Sequence, residues 1–292
     1  MKILTSFCKQ SNNFSKNLLL VDLDSGKEEY LIGESGGITG ITQDNDFFYA
    51  VSKDVDEGLF IIDKKTKKII FNEKLVELLA PHSIAVKDDS IYIVSTGNDS
   101  VFKYAFDKEG RQVDLIGKEW SPEGSKGEID THHINSIFLY DNDIYVSAFG
   151  MKKSKKWSSA ADGYIYNISK KIKKIEKIYH PHSVFIKNRN VYYCESSSRS
   201  VKINKTEVLK LKVGYTRGLS LNKDYLVLGT SSGRKRSHST GLINNPADPG
   251  VLEEDCRVLL YRKDELLKEY ELIKELNFLP RHTEIYDIII VN

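Results

Sequence analysis

Cysteine is scarce in this chain, and the few residues present are badly placed for pairing. Cys8, Cys194 and Cys256 are spread over 292 positions with no C-x-x-C spacing. An odd, scattered count makes neither a disulfide framework nor a zinc cage and favours a reducing compartment. Proline is also sparse, at six residues, which excludes a proline-rich linker protein. Apolar runs such as Ile288-Ile289-Ile290-Val291 are far too short to cross a bilayer. After Met1 the stretch Ile3-Leu4-Thr5-Ser6-Phe7-Cys8 gives way at once to Lys9-Gln10-Ser11-Asn12-Asn13, so it lacks the apolar core of a signal peptide. A cytoplasmic location without membrane contact is therefore expected. An excess of one charge sign is missing too: 43 Lys and Arg face 41 Asp and Glu, leaving +2 and a pI near 8.2. On that balance no nucleic-acid partner is expected. Finally, there is no G-x-x-x-x-G-K-[ST] loop, no G-x-S-x-G elbow and no H-E-x-x-H pair, so ATP and serine-hydrolase chemistry have no support.

What is present suits a folded, strand-rich protein. Hydrophobic residues make up 40% and charged residues 29%, and Tyr and Phe number sixteen and twelve. One pattern recurs along the chain: an apolar-alternating stretch, a short Asp/Asn/Lys turn, and a second alternating stretch ending near Ser or Gly. Its copies begin at Thr39, His82, Asn135, His182 and Arg217, with turns such as Gln43-Asp44-Asn45-Asp46 and Lys187-Asn188-Arg189-Asn190. Each copy has the make-up of a β-hairpin. Second hairpins follow the early copies, for example Gly58 to Asp63 with Lys68 to Phe71, which gives four strands per repeat. The repeat length of about 49 residues is that of a propeller blade. A sixth copy opens at Glu284 and stops without its outer strands, while Lys2 to Ser6 and Leu18 to Gly26 at the other end supply candidates for them. The predicted fold is all-β: one six-bladed β-propeller of four-stranded blades over residues 1–292, its ring closed by N-terminal strands pairing with the C-terminal strand.

Superposing the copies gives one column of Thr39, His82, Asn135, His182, Arg217 and Glu284. The column two residues earlier holds Gly37, Ala80, His133, His180, Tyr215 and His282. Five of the seven histidines fall in these columns, at positions that open the innermost strand of each blade and converge on one mouth of the channel. His82, His182, His133 and Glu284 are the candidate catalytic groups, since histidine suits acid–base work near neutrality and a carboxylate can set its tautomer. Arg217, Asn135, Tyr215, His282, His180 and Arg234 are candidate substrate-binding groups, with the guanidinium of Arg217 matched to a carboxylate or phosphate. His82, His182 and Glu284 could also hold a divalent metal such as Zn, Mn or Fe. A polar lining that merely satisfies strand ends is the alternative. His132 should face away from His133 by alternation, and His238 lies on a loop that could reach the mouth. Two stretches exceed the repeat, 151–162 with Trp157 and 231–255 with Arg234, and both leave on the mouth side. Trp157 is a candidate lid or sugar-stacking residue, with anchoring of its own loop the alternative, and Trp120 is expected to pack on an outer strand.

The motifs Asp130-x-x-His133-x-Asn135, Pro181-His182-Ser183, Thr216-Arg217-Gly218-Leu219, the Gly229/Ser232/Arg234 stretch and Glu284-Ile285-Tyr286-Asp287-Ile288 occur in that order. Together, over residues 80 to 292, they resemble an uncharacterised bacterial propeller-like family of unknown function. The chain departs from it at Val184-Phe185, where that family tends to carry Pro-Arg, and in the basic Arg234-Lys235-Arg236 cluster. The resemblance implies the fold and the place of the site. The functional expectation is an enzyme acting at the channel mouth on a small anionic molecule or carbohydrate, such as a sugar acid or sugar phosphate. Lyase, epimerase and hydrolase chemistry all fit. The alternative is a non-catalytic module binding a glycan or protein. A monomer or weak homodimer is the default.

Overall fold

The polar hairpin tips form as their residues dictate. Asp44 Oδ1 accepts the backbone N–H groups of Asp46 and Phe47 at 2.8 and 2.7 Å, and Asn222 Oδ1 accepts those of Asp224 and Tyr225 at 2.9 and 2.8 Å. Such side-chain acceptors replace the missing ladder bonds and fix the reversal. The computed structural model describes residues 1–8, 16–53, 58–127, 129–236, 241–244, 254–264 and 269–291. Its strands form six four-stranded antiparallel sheets. The innermost strands are Ile38–Gln43, Pro81–Lys87, Ile134–Tyr140, Pro181–Lys187, Tyr215–Leu221 and Ile285–Ile290, which define blades 1 to 6. Each lies beside the next, and the sixth beside the first, so the sheets close into a six-bladed propeller. Blade 6 is composite: Ile285–Ile290 pairs antiparallel with Lys2–Phe7, and Leu18–Asp22 and Glu28–Tyr30 complete it. Helix is limited, among the described residues, to three single 3-10 turns, and no helix is long and apolar enough to cross a membrane.

Each blade buries its faces against its neighbours. Among the described residues six apolar clusters occur, one at each interface: Tyr49, Ile61 and Phe71 of blade 1 meet Ile84, Ile93 and Phe102 of blade 2, and the others repeat the scheme. Burying one such side chain stabilises by roughly 1.5–3 kcal/mol. Polar belts add register. The N–H groups of Ile137, Val184, Gly218 and Ile290 donate to the hydroxyls of Ser83, Ser136, Ser183 and Ser220 on the preceding blade, at 2.9 to 3.2 Å. At the closing interface Asp287 takes this part, accepting Ile41 N–H at 3.4 Å. Between blades 1 and 2 the backbones touch directly: a Cβ on Gly40 would lie 2.6 Å from Ser83 Cα, which is why only glycine fits. A second belt runs from Thr39, Ser196 and Ser231, whose hydroxyls donate to the carbonyls of Pro81, Thr216 and Ile285 in the following blade. The ring is therefore keyed at its inner edge, where the candidate site lies.

Candidate functional site

The two histidine columns meet at one mouth of the channel because of a backbone device repeated in three blades. Ala80, His133 and His180 adopt left-handed conformations, with φ of +48°, +53° and +48°. This turn aims each carbonyl at the side chain two residues on. His82 Nδ1 donates to Ala80 O at 2.8 Å, His182 Nδ1 to His180 O at 3.1 Å, and Asn135 Nδ2 lies 3.4 Å from His133 O. His182 Nδ1 also donates to Ser196 Oγ at 2.8 Å, whose own proton goes to Thr216 O at 2.6 Å. Both imidazoles therefore carry their proton on Nδ1 and present Nε2 as an acceptor. His182 Nε2 is buried and has no protein partner. Burial holds both rings well below the ordinary histidine range, reinforced at His82 by His133 and at His182 by the Arg217 cation. They are neutral at physiological pH.

His133 is held differently. Its Nδ1 donates to Asp130 Oδ2 at 2.8 Å while its backbone N–H donates to Asp130 Oδ1 at 3.0 Å. The ring stands edge-on to His82, with centroids 5.2 Å apart, and against Phe149 and Trp157 at 4.5 and 4.7 Å. His180 stacks on Phe149 at 4.3 Å and donates from Nε2 to Trp157 O at 3.1 Å. The 151–162 insertion thus reaches the mouth through Trp157.

Arg217 lies over the faces of Tyr286 and Tyr215, at 4.6 and 5.3 Å. No described carboxylate pairs with it, and its Nε is buried without a partner. Glu284 serves another cation. Arg234, from the 231–255 insertion, grips both its oxygens, with Nε to Oε1 at 2.7 Å, and burial leaves Glu284 only 2% exposed. Behind the mouth the channel continues as a cavity of about 160 Å³ lined by His82, Asn135, His182, Tyr286 and Asp287. Burial raises the Asp287 carboxyl to about 7 against its two backbone donors.

The structure brings together His82, His133, His180, His182, Asn135, Tyr215 and Arg217, and adds Arg234 with Glu284 beside them. It does not bring in His282. That ring stacks on Phe7 at 3.6 Å, with Nε2 3.0 Å from the Tyr30 hydroxyl, away from the channel. Its surroundings push its titration down to about 3 through burial first and then the Arg281 charge. The metal expectation finds no donor set. Arg234 occupies the Glu284 carboxylate, and among the described residues no group of three His, Cys, Asp or Glu is arranged to hold an ion. His132 turns to the Tyr164 hydroxyl at 3.1 Å, away from His133, and Trp120 stacks on Tyr166 at 5.2 Å on the outer strands. His238 lies outside the described residues.

No protein-family model matches the chain, and no curated protein matches it. Solved structures do match along its whole length. A protein from Lactobacillus plantarum is 14% identical with a TM-score of 0.58, covering 98% of both chains. A chain of a nidogen/laminin complex is 8% identical with a TM-score of 0.64, covering 99% of this chain and 97% of its own. A Bacteroides fragilis protein provisionally assigned as a 6-phosphogluconolactonase is 11% identical with a TM-score of 0.58, covering 100% and 98%. At these identities the likeness is one of fold.

Four residues of the mouth escape the column alignment: Asp130, Phe149, Trp157 as a ring contact, and Tyr286. Tyr286 had a usable signal, since it lies two residues past Glu284 at the start of the last strand and alternation keeps such residues on one side. Asp130 had one in its spacing to His133, which suits the local turn now seen. Phe149 had none beyond its place just after a second strand.

Proposed function

We propose that the mouth binds a small polar anion, of the sugar-acid or sugar-phosphate kind, and acts on it by histidine acid–base chemistry. The observation that carries this is a guanidinium that no described carboxylate neutralises, with its Nε unpartnered, close enough to act on the buried His182 imidazole, whose Nε2 has no partner in the protein. Arg217 would take the carboxylate or phosphate, and Tyr286 and Tyr215, whose rings it covers, would hold that guanidinium in place. His182 Nε2 would accept a substrate hydroxyl proton in a hydrogen bond. His133, oriented by Asp130, would be the group that moves a proton, since the carboxylate fixes its tautomer in the arrangement general bases use. The cavity takes roughly the volume of a six-membered ring, so the remainder of a larger substrate would rest under Trp157. Hydrolysis of a sugar-phosphate lactone is the first reaction to assay, a choice supported only by fold through the Bacteroides fragilis neighbour.

The test is calorimetric titration with 6-phosphogluconate and related sugar acids, followed by turnover of the matching lactones. Binding that vanishes in Arg217→Met, with turnover lost in His133→Asn, supports the reading. Unchanged affinity in Arg217→Met refutes it.

One observation favours a second reading, a docking module. Leu79, Ile129, Tyr179 and Val213 precede the innermost strands of blades 2 to 5 and are 45, 52, 53 and 39% exposed. An apolar rim of this kind suits a partner laid across the mouth. A face that binds a partner regardless of Arg217 and His133 would favour it.

A further inference from the structure

The near-neutral total hides a segregation of charge. Residues 152–212 carry sixteen Lys and Arg against four Asp and Glu, a net +12 within a chain of +2, so the rest stands at −10. That segment is the end of blade 3 and nearly all of blade 4, which are neighbours in the ring. All four acids in it are paired within it: Asp162 with Lys153 at 3.5 Å, Glu176 with Lys173 at 3.8 Å, Glu195 with Lys202 at 2.5 Å and Glu207 with Lys210 at 3.7 Å. Lys155, Lys171, Lys174, Lys177, Lys205 and Lys212 are exposed and meet no described carboxylate.

The placement of these lysines follows from the antiparallel blade. Lys155 is on the mouth-side insertion, and Lys212 follows the outermost strand Thr206–Lys210 on the same side. Lys171 and Lys205 sit in turns on the opposite face, and Lys174 and Lys177 lie on the outermost strand Ile172–Ile178. The bulges of that strand fall at Lys174 and Lys177, which have no partner in the ladder. Charged edge strands guard against sheet-to-sheet aggregation, but that needs charge of either sign. The outermost strand Glu269–Asn277 is guarded by Glu269, Glu271, Lys274 and Glu275, so a single sign on two adjacent blades has another cause.

We infer that this band is an interaction surface for the phosphate backbone of a nucleic acid. A flat bilayer would touch one face or the rim, whereas the lysines run from the mouth face over the rim to the far face, a path that a polyanionic strand can follow. A second copy of the chain offers no equal counterpart, because its remaining 37 acids are interleaved with 27 bases. Exposed Tyr179, at the end of the same edge strand, adds a face on which a base can stack. Lysine rather than arginine dominates the band, which fits contact with phosphates and not with base edges.

The experiment is fluorescence anisotropy of a labelled 25-nucleotide single-stranded DNA and its duplex, between 50 and 200 mM salt, with the full chain. Binding at 50 mM salt that weakens at least a hundredfold by 200 mM is expected. Lys171→Glu/Lys174→Glu/Lys177→Glu should weaken binding at least tenfold at 50 mM and reduce the slope of log K against log salt by about two. Lys155→Glu/Lys205→Glu/Lys212→Glu, on separate turns, should do the same should the first variant melt early. Lys65→Glu/Lys68→Glu on blade 1 should stay within twofold of the parent. No binding at 50 mM salt overturns the inference, as does equal loss in the blade 1 variant. Binding to phosphatidylserine vesicles or self-association in sedimentation, lost with these same lysines while DNA is ignored, also overturns it.

Discussion

Replacing Asp287 by Asn removes a carboxylate that faces the central channel and closes the polar belt between blades 6 and 1. In the native ring this group accepts Ile288 N–H at 2.9 Å and Ile41 N–H at 3.4 Å, yet burial outweighs both bonds and lifts its titration from 3.8 to about 7. The sign follows from where the proton sits. Below pH 3.8 the group is protonated in the folded and unfolded chains alike, and its full contribution to stability is present. Between 3.8 and about 7 the unfolded chain releases the proton while the native ring retains it, so stability falls as pH rises and levels off above 7. Three pH units at 1.36 kcal/mol each set an upper limit of roughly 4 kcal/mol. The channel beside the carboxylate is wide enough to admit water, which reduces this to roughly 2–3 kcal/mol. Asn keeps one acceptor and forfeits the other, at about 1 kcal/mol. Urea unfolding at pH 5, 6, 7 and 8 checks the reasoning: the variant should be slightly less stable than the parent at pH 5 and more stable at pH 8. Parallel pH profiles for the two proteins would refute it.

Other perturbations probe the mouth and the ring. Glu284→Gln strands the partly buried Arg234 and should cost about 2–4 kcal/mol in denaturant unfolding, whereas Arg234→Met/Glu284→Met should recover at least half of that, since a paired loss leaves no orphan charge. Arg217→Met should leave the melting temperature within about 3 °C while anion affinity drops at least tenfold by calorimetry; a large loss of stability instead would make Arg217 structural. Gly40→Val drives a side chain into the backbone at Ser83 and should destabilise by roughly 1–3 kcal/mol or more. Asp130→Asn should lower turnover far more than binding, because it disturbs the His133 tautomer and leaves Arg217 alone; equal losses would remove the dyad from the chemistry.

The blade plan was legible because a propeller repeats a local rule. Alternation around Asp and Asn turns marks each inner hairpin, and the strand starts at Ile38, Pro81, Ile134, Pro181 and Tyr215 fall within two residues of the copies read from the sequence. The columns worked for the same reason in blades 2, 3 and 4, where the residue two before the ring position shares a left-handed backbone. They failed at His282, whose φ is not of that kind. There the chain arrives through Phe278, which packs into the interface of blades 5 and 6 and carries the imidazole onto Phe7. The Arg234–Glu284 pair, fifty residues apart, and the Phe149–Trp157 cover were invisible because loop trajectories are set by tertiary contacts, not by period. Net charge was the least informative signal, since a sum over the whole chain cannot show where the charges sit.

Closure by Ile285–Ile290 also sets a timetable. Tyr286 and Asp287 are carried on that strand and Glu284 directly precedes it, and the strand follows every other in chain order. A nascent chain with blades 1 to 5 already folded therefore has Arg217 without Tyr286, Arg234 without its counter-ion, and a first blade with an open flank. The site is completed in the same event that seals the ring, so an incompletely synthesised chain is denied both.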